Sequence, residues 1–180
     1  MNYSVMIQFL QLCEFITFMF MKIYIILILT FPLYLSSQYT GAVPWKNCFG
    51  INAECKTYPK DGYLVGCSNI KVKSSSDPVL VIIKKSDKVI KHAYISGSSS
   101  YNFQVPDGIY QVFFYYGDNW NSNKKMKSGE CSNAYGGWEK NEFVSKDNPI
   151  SLEGQIMTYT LTRVNYGNFN PKRSSLDEAL

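Results

Sequence analysis

Residues 78–85 read Pro-Val-Leu-Val-Ile-Ile-Lys-Lys, residues 88–95 read Lys-Val-Ile-Lys-His-Ala-Tyr-Ile, and residues 109–116 read Ile-Tyr-Gln-Val-Phe-Phe-Tyr-Tyr. In the first and last runs, the side chains on both faces of the predicted strand are apolar, which is typical of strands covered on both faces. Between them, residues 101–105 alternate between apolar and polar side chains, as in a strand with one buried face. The pattern predicts consecutive β-strands, with the run at 109–116 in the middle of a sheet.

The sharpest turn in this stretch is predicted at Pro106-Asp107-Gly108. Proline presets φ, aspartate accepts local backbone hydrogen bonds, and glycine adopts backbone angles that side chains disfavour.

The order of elements in this stretch resembles the carboxypeptidase-regulatory-like and transthyretin-like β-sandwich domains of secreted bacterial proteins. That order is a Val/Ile strand, a polar turn, a second strand, Gly97 with serines, an aromatic strand and Pro-Asp-Gly-x-Tyr. The resemblance covers residues 69–116. It implies a β-sandwich and a non-catalytic accessory or adhesive module, and it carries over no functional residue.

Further strands are predicted on both sides of this stretch. Residues 69–73 alternate with Ile70 and Val72 inward, residues 142–145 are apolar enough for a strand, and residues 155–164 alternate with threonines on one face. We therefore predict an all-β, antiparallel β-sandwich of about seven strands, immunoglobulin-like or transthyretin-like, over residues 63–164.

The N-terminal residues 1–37 are almost entirely apolar, which predicts a hydrophobic signal helix before the sandwich. Lys22 precedes an apolar run that ends in small residues, the layout of a secretory signal peptide, and translation is predicted to start at Met21. An uncleaved signal anchor is the alternative. The protein is accordingly expected in the periplasm, cell envelope or extracellular space, with membrane contact only through this segment.

Composition restricts the remaining classes. The chain is 46% hydrophobic and 16% aromatic, enough for a packed core, and its net charge of +4 is not organised in basic runs, so no nucleic-acid partner is predicted. Residues 38–62 are expected to be an irregular, cysteine-containing segment, and residues 165–180 a mobile polar tail.

Four cysteines follow the apolar N-terminal segment: Cys48, Cys55, Cys67 and Cys131. An even number in an exported chain predicts disulfides. Three pairings are possible, and the preferred one joins Cys48 to Cys55 and Cys67 to Cys131. Because no Cys-x-x-Cys spacing occurs, no zinc site is predicted. No other metal and no cofactor is predicted either.

A long polar loop is predicted over residues 117–140, and loops of this length are often functional. Aromatic rings beside amides suit a glycan or a protein segment, because rings stack while amides pair with polar groups. The alternative is that the rings cover an open end of the sandwich. The candidate ligand-binding residues are Trp120, Tyr135, Trp138, Asn119 and Asn121.

Catalytic groups are sparse. His92 is the only histidine, and nothing in the sequence converges on it as a base requires. Carboxylates in the 117–142 region could form a hydrolytic pair, but lysines surround them. The spacing there also resembles a calcium-binding loop, but it lacks the first aspartate and the glycine of such a loop.

The leading prediction is a secreted or envelope-associated, non-enzymatic binding module. The alternatives are a membrane-anchored structural envelope protein without a small ligand, and a hydrolase using loop carboxylates. The carboxylates concerned are Asp118, Glu130, Glu139 and Glu142.

Overall fold

The structure is a computed structural model, and it describes residues 38–50, 55, 58–60, 63–126, 134–162 and 171–180. The predicted signal helix lies outside these residues. In chain order the elements are α1 (Lys46–Phe49), β1 (Tyr58–Lys60), β2 (Tyr63–Val65), β3 (Cys67–Lys73), β4 (Val79–Lys85), β5 (Lys88–Ile95), β6 (Ser100–Pro106), β7 (Gly108–Lys125), β8 (Tyr135–Lys146), β9 (Ile150–Leu152), β10 (Ile156–Thr160), β11 (Lys172–Ser174) and α2 (Leu176–Ala179).

Two sheets form the body of the fold. The larger one has the strand order β11-β8-β7-β4-β5, with β9 paired to the start of β7, and the smaller one has the order β10-β3-β6. A short hairpin of β1 and β2 stands apart from both sheets. The expectation of an all-β sandwich is confirmed. The two strands that are apolar on both faces, β4 and β7, lie inside the larger sheet, as predicted.

The inner core lies between the sheets and is built by strand alternation. The smaller sheet contributes Ile70, Val72, Phe103 and Val105, which are all buried, as their spacing predicts. From the larger sheet, alternate residues of β4, β5 and β7 meet them. Packing is close across the gap, where the rings of Phe114 and Tyr159 meet edge to face at 5.2 Å.

One strand pair departs from the predicted antiparallel arrangement. β10 runs parallel to β3, with Ile156 opposite Asn69 and Thr160 opposite Lys73. The cause is the turn before β10, where the Gly154 amide donates to the Asp107 carboxylate at 2.9 Å. This contact starts β10 at the same end of the sandwich as β3. An all-antiparallel sandwich is therefore wrong for this edge of the smaller sheet.

The chain bends at Asp107, in the predicted Pro106-Asp107-Gly108 turn, and several segments meet there. Besides Gly154, the Asp107 carboxylate accepts a hydrogen bond from the Ser68 hydroxyl at 2.5 Å, and the Asp107 amide donates to the Gly66 carbonyl at 3.0 Å. The Ser68 hydrogen bond is the main cause that holds the pKa of Asp107 below its usual value.

A second core covers the opposite face of the larger sheet. Strand side chains such as Leu80, Ile82 and Tyr115 are overlaid there by Trp45 from segment 38–50 and by Leu180 at the C-terminus. The predictions for both flanking segments need correction. Segment 38–62 contains α1 and β1, and the expected mobile tail instead forms β11 and α2 over residues 172–179. Apolar burial explains the order at both ends, since Trp45 and Ala179 are fully enclosed.

Candidate functional site

The predicted loop over residues 117–140 is mostly a β-hairpin. β7 continues to Lys125 and β8 begins at Tyr135, so the strands pair far beyond the central sheet. The irregular loop predicted there is therefore wrong for the described residues. The cause is cross-strand pairing, because Trp120 lies opposite Trp138 and polar residues fill the intervening positions. We call residues 117–126 and 134–141 the distal hairpin.

Both tryptophans of the hairpin turn toward the second core. Trp138 is only 1% exposed, and its ring meets those of Trp120 at 5.0 Å and Tyr94 at 5.9 Å. Trp120 is half-buried and packs on Tyr94 at 5.2 Å. The two rings are thus not exposed together for a ligand. The alternative stated from the sequence placed the rings over an open end of the sandwich, whereas here they pack against Tyr94 on the second-core face of the larger sheet.

Two glycines permit the close packing of this ring face. A Cβ atom at Gly117 would collide with the Trp138 side chain. At Gly136, φ is +120°, and a Cβ atom would approach Pro44 to 3.2 Å. Gly136 also accepts a hydrogen bond at 2.9 Å from the Trp45 indole. Gly117 thus makes room for Trp138 within the hairpin, and Gly136 holds the distal hairpin against segment 38–50 with a backbone conformation that side chains strain.

The opposite face of the hairpin is polar, and we call it the amide face. Adjacent residues in a strand point to opposite sides, so Asn121 and Glu139 lie opposite the tryptophans. The Asn121 side-chain amide donates to the Glu139 carboxylate at 2.9 Å, and Asn141 donates to Asp118 at 2.6 Å. These hydrogen bonds fix polar groups that are still open to solvent.

The remaining predicted ligand-binding residues lie at the ends of the hairpin. Tyr135 is 53% exposed, opposite Lys125, and Asn119 is exposed with a left-handed φ of +56°. The structure thus brings all five predicted residues into one hairpin but divides them. Trp120 and Trp138 face inward, whereas Tyr135, Asn119 and Asn121 remain accessible.

A charged network lies at the base of the hairpin. The Tyr115 hydroxyl donates to Glu142 at 2.7 Å, and Lys124 forms an ion pair with the same carboxylate. Lys124 also donates to the Trp138 carbonyl. Burial is the main cause that raises the pKa of Tyr115, and the Glu142 hydrogen bond adds to it. These contacts join both strands of the hairpin to the sheet.

The hydrolase alternative named four carboxylates, and each of the three that are described has a polar partner. Asp118 is bonded to Asn141, Glu139 to Asn121, and Glu142 to Lys124 and Tyr115. Glu130 lies outside the described residues. Within the described residues, no group of three or more His, Cys, Asp and Glu side chains is placed to hold a metal ion.

His92 lies beside the rings of the second core. Its ring is nearly fully buried and lies 5.7 Å from the Trp45 ring and 5.9 Å from the Phe49 ring. Burial among these rings lowers its pKa from 6.5 to about 4. The imidazole is therefore neutral near pH 7 and packs as an aromatic side chain.

The disulfide pairing differs from the preferred prediction. Cys55 is bonded to Cys67, with their Cα atoms 6.2 Å apart. Both preferred pairings, Cys48 with Cys55 and Cys67 with Cys131, are therefore wrong. Cys48 is also disulfide-bonded, and Cys131 lies outside the described residues. The cause of the difference is register: β3 begins at Cys67, beside the Gly66 carbonyl that Cys55 approaches. The preferred pairing was chosen from sequence separation alone, which does not reveal the position of Cys55 relative to β3.

Sequence reasoning missed Trp45, which closes the second core and holds the hairpin. β4 and β7 carry apolar side chains on both faces, so each face of the sheet needs a cover. That pattern could have pointed to Trp45. In the described part of the chain, no helix is long and apolar enough to cross a membrane. Comparison of the chain with protein-family models, curated proteins and solved structures finds no match.

Proposed function

We propose that the protein is an exported, non-catalytic binding module of the immunoglobulin-like or transthyretin-like sandwich type, and that it binds a glycan through the distal hairpin. The observation that carries this proposal is the two-sided hairpin. Its ring face packs on Tyr94 and the second core, while its amide face keeps Asn121 and Glu139 oriented toward solvent.

Preorganisation is the physical reason to assign binding to this face. Ordering a side chain on binding costs roughly 0.5–1.5 kcal/mol, and groups that are already oriented avoid part of that cost. Amide and carboxylate groups pair with sugar hydroxyls, and the exposed ring of Tyr135 offers a flat surface for stacking. A glycan uses both kinds of contact.

Export is supported by the disulfides. Cys55 is bonded to Cys67, and Cys48 is bonded as well. Disulfides persist in oxidising compartments and are rare in the cytosol. The chain is thus suited to the periplasm, the envelope surface or the extracellular space.

The proposal is tested by glycan-array screening, followed by calorimetric titration of the best glycan against matched tyrosine variants. We expect Tyr135→Ala to weaken binding by about tenfold, since removal of a stacking ring costs roughly 1.4 kcal/mol. Tyr39→Ala is the control, because Tyr39 is 73% exposed but lies outside the hairpin. Equal loss in both variants, or no glycan bound by the array, would overturn the assignment.

A second pair of variants separates the amide face from the ring. Asn121→Ala removes the partner of Glu139, and we expect it to weaken the same glycan by about threefold to tenfold. Asn102→Ala is the matched control, because its amide is exposed and bonded to Asn69 on the smaller sheet. If the two substitutions had the same effect, the amide face would not be the contact surface.

A further inference from the structure

A second polar surface lies at the end of the sandwich where the loop after β3 meets the loop after β5. An open cleft of about 630 Å³ lies between the two loops. Hydroxyl groups dominate its lining, together with one ammonium group, and the lining includes no carboxylate. We call it the serine cleft, and its lining residues are Lys73, Ser74, Ser75, Ser76, Ser98, Ser99 and Ser100.

Hydrogen bonds between the loops hold the walls of the serine cleft. The Ser74 hydroxyl donates to the Ser96 carbonyl at 2.6 Å and accepts from the Ser99 amide at 3.1 Å. Thr40 adds a hydrogen bond from its hydroxyl to that of Ser99 at 3.0 Å. At Gly97 a Cβ atom would collide with the Ser76 carbonyl, so the loops approach as closely as a glycine allows. The cleft is therefore a built feature of the fold.

Accessible donors remain at the rim of the cleft. Ser76, Ser98 and Ser100 are exposed, and so is Lys73. Lys73 forms no ion pair with the described residues, whereas Lys124 and Lys146 do. The nearest carboxylate in sequence is Asp77, whose backbone amide donates to the Ser75 hydroxyl at 3.5 Å. The lining of the cleft thus combines several hydroxyl groups with one lysine that forms no ion pair among the described residues.

The surface next to the cleft has the same chemistry. Lys71 lies two residues before Lys73 on the same face of β3, about 7 Å along the strand. Register places these lysines beside neutral polar residues on both neighbouring strands. The outward-facing set contains two cations, one exposed apolar residue and no carboxylate: Asn69, Lys71, Lys73, Ser100, Asn102, Gln104, Ile156, Thr158 and Thr160.

We propose that the serine cleft binds the sulfate or phosphate group of a hydroxyl-rich anionic polymer, which continues along the outer face of the smaller sheet toward Lys71. A lysine ammonium acts as a point charge for a tetrahedral oxyanion, and serine hydroxyls donate hydrogen bonds to its oxygens. An anionic group on the polymer is attracted by both lysines. This surface shares no residue with the distal hairpin, so the proposal does not depend on glycan binding there.

The test is a titration of the full, oxidised chain followed by two-dimensional amide NMR at low ionic strength. The probes are inorganic sulfate, inorganic phosphate, dextran sulfate and uncharged dextran. We expect saturable shifts at the amides of residues 74–76 and 98–100 with the anionic probes and none with dextran. Shifts with the free ions assign the group itself, whereas shifts with dextran sulfate alone assign the polymer-borne group; either result supports the proposal.

Matched variants distinguish the serine cleft from general charge. Lys73→Gln is expected to weaken dextran sulfate binding by about tenfold, and Ser100→Ala by about threefold. Lys88→Gln removes an equally exposed lysine at the β4–β5 turn, at the other end of β4, and is expected to change the affinity by less than about twofold. Equal weakening by Lys73→Gln and Lys88→Gln, shifts spread over all exposed lysines, or no shift with any anion would overturn the proposal.

Discussion

The two faces of the larger sheet are both buried, but they are covered in different ways. On the inner face, the smaller sheet supplies regular strands whose alternation places Ile70 and Phe103 in the core. On the outer face, the cover is assembled from segment 38–50, the distal hairpin and the C-terminal residues. Strand periodicity therefore predicts the inner core. The second core, which lies on the outer face and is called the outer core below, carries the proposed hairpin site and depends on individual side chains such as Trp45.

The largest expected effect is the loss of stability when a ring of the inner core is removed, compared with removal of a partly exposed ring on the neighbouring strand. Phe114→Ala is expected to destabilise the fold by about 4 kcal/mol, because a buried ring is replaced by a cavity. Chemical denaturation measures this change. Phe143→Ala is the control on the neighbouring strand, because Phe143 is 43% exposed, and its cost is expected to be below about 1 kcal/mol. A loss below about 2 kcal/mol for Phe114→Ala would contradict the assignment of this layer as the main core.

The Cys55–Cys67 disulfide is expected to contribute to the stability of the fold by an amount comparable to the loss expected for Phe114→Ala. It joins cysteines separated by 12 in sequence, next to the start of β3. Removing it in a Cys55→Ser, Cys67→Ser double variant is expected to cost about 3 kcal/mol, because the unfolded chain gains loop entropy. Non-reducing peptide mapping checks the pairing first and also identifies the partner of Cys48. A peptide that joins Cys48 to Cys55 would contradict this structure.

The outer core is expected to respond to pH through His92. Its pKa is 6.5 unfolded and about 4 in the fold, so between these values the unfolded chain binds a proton that the folded chain excludes. Stability is therefore complete above about pH 7 and falls as the pH is lowered from 6.5 to 4. The expected loss is about 2 to 3 kcal/mol.

Denaturation midpoints measured across that pH window test this prediction, with His92→Phe as the control. His92 is the only histidine, so a phenylalanine at this position is expected to remove the histidine component and leave only the carboxylate titrations. Identical pH profiles for the two proteins would show that burial beside Trp45 does not govern the stability of the outer core.

The same contrast explains which features could be predicted from the sequence. Ile70 and Val72, the strand at 109–116 and the Pro106-Asp107-Gly108 turn were predictable because alternation and turn chemistry are local. The burial of Trp138 was not, since it depends on Tyr94 and Trp120, which are distant in sequence. A polar composition also concealed the hairpin, because Asn and Lys disfavour strands unless cross-strand contacts compensate. The disulfide pairing failed for the same reason, as it follows from tertiary register.

The smallest expected effect comes from two of the tryptophans, Trp45 and Trp120, and tests how the outer core holds the hairpin. Trp45→Phe keeps a ring but removes the hydrogen bond to the Gly136 carbonyl, so we expect a loss of about 1 to 2 kcal/mol. Trp120→Phe is the matched control, because the Trp120 indole N–H is buried with no hydrogen-bond partner among the described residues. Its cost is expected to be smaller. Amide exchange across residues 135–140 should increase for Trp45→Phe more than for Trp120→Phe, since the lost hydrogen bond joins the hairpin to segment 38–50. The reverse order would mean that ring packing, rather than this hydrogen bond, holds the amide face in position.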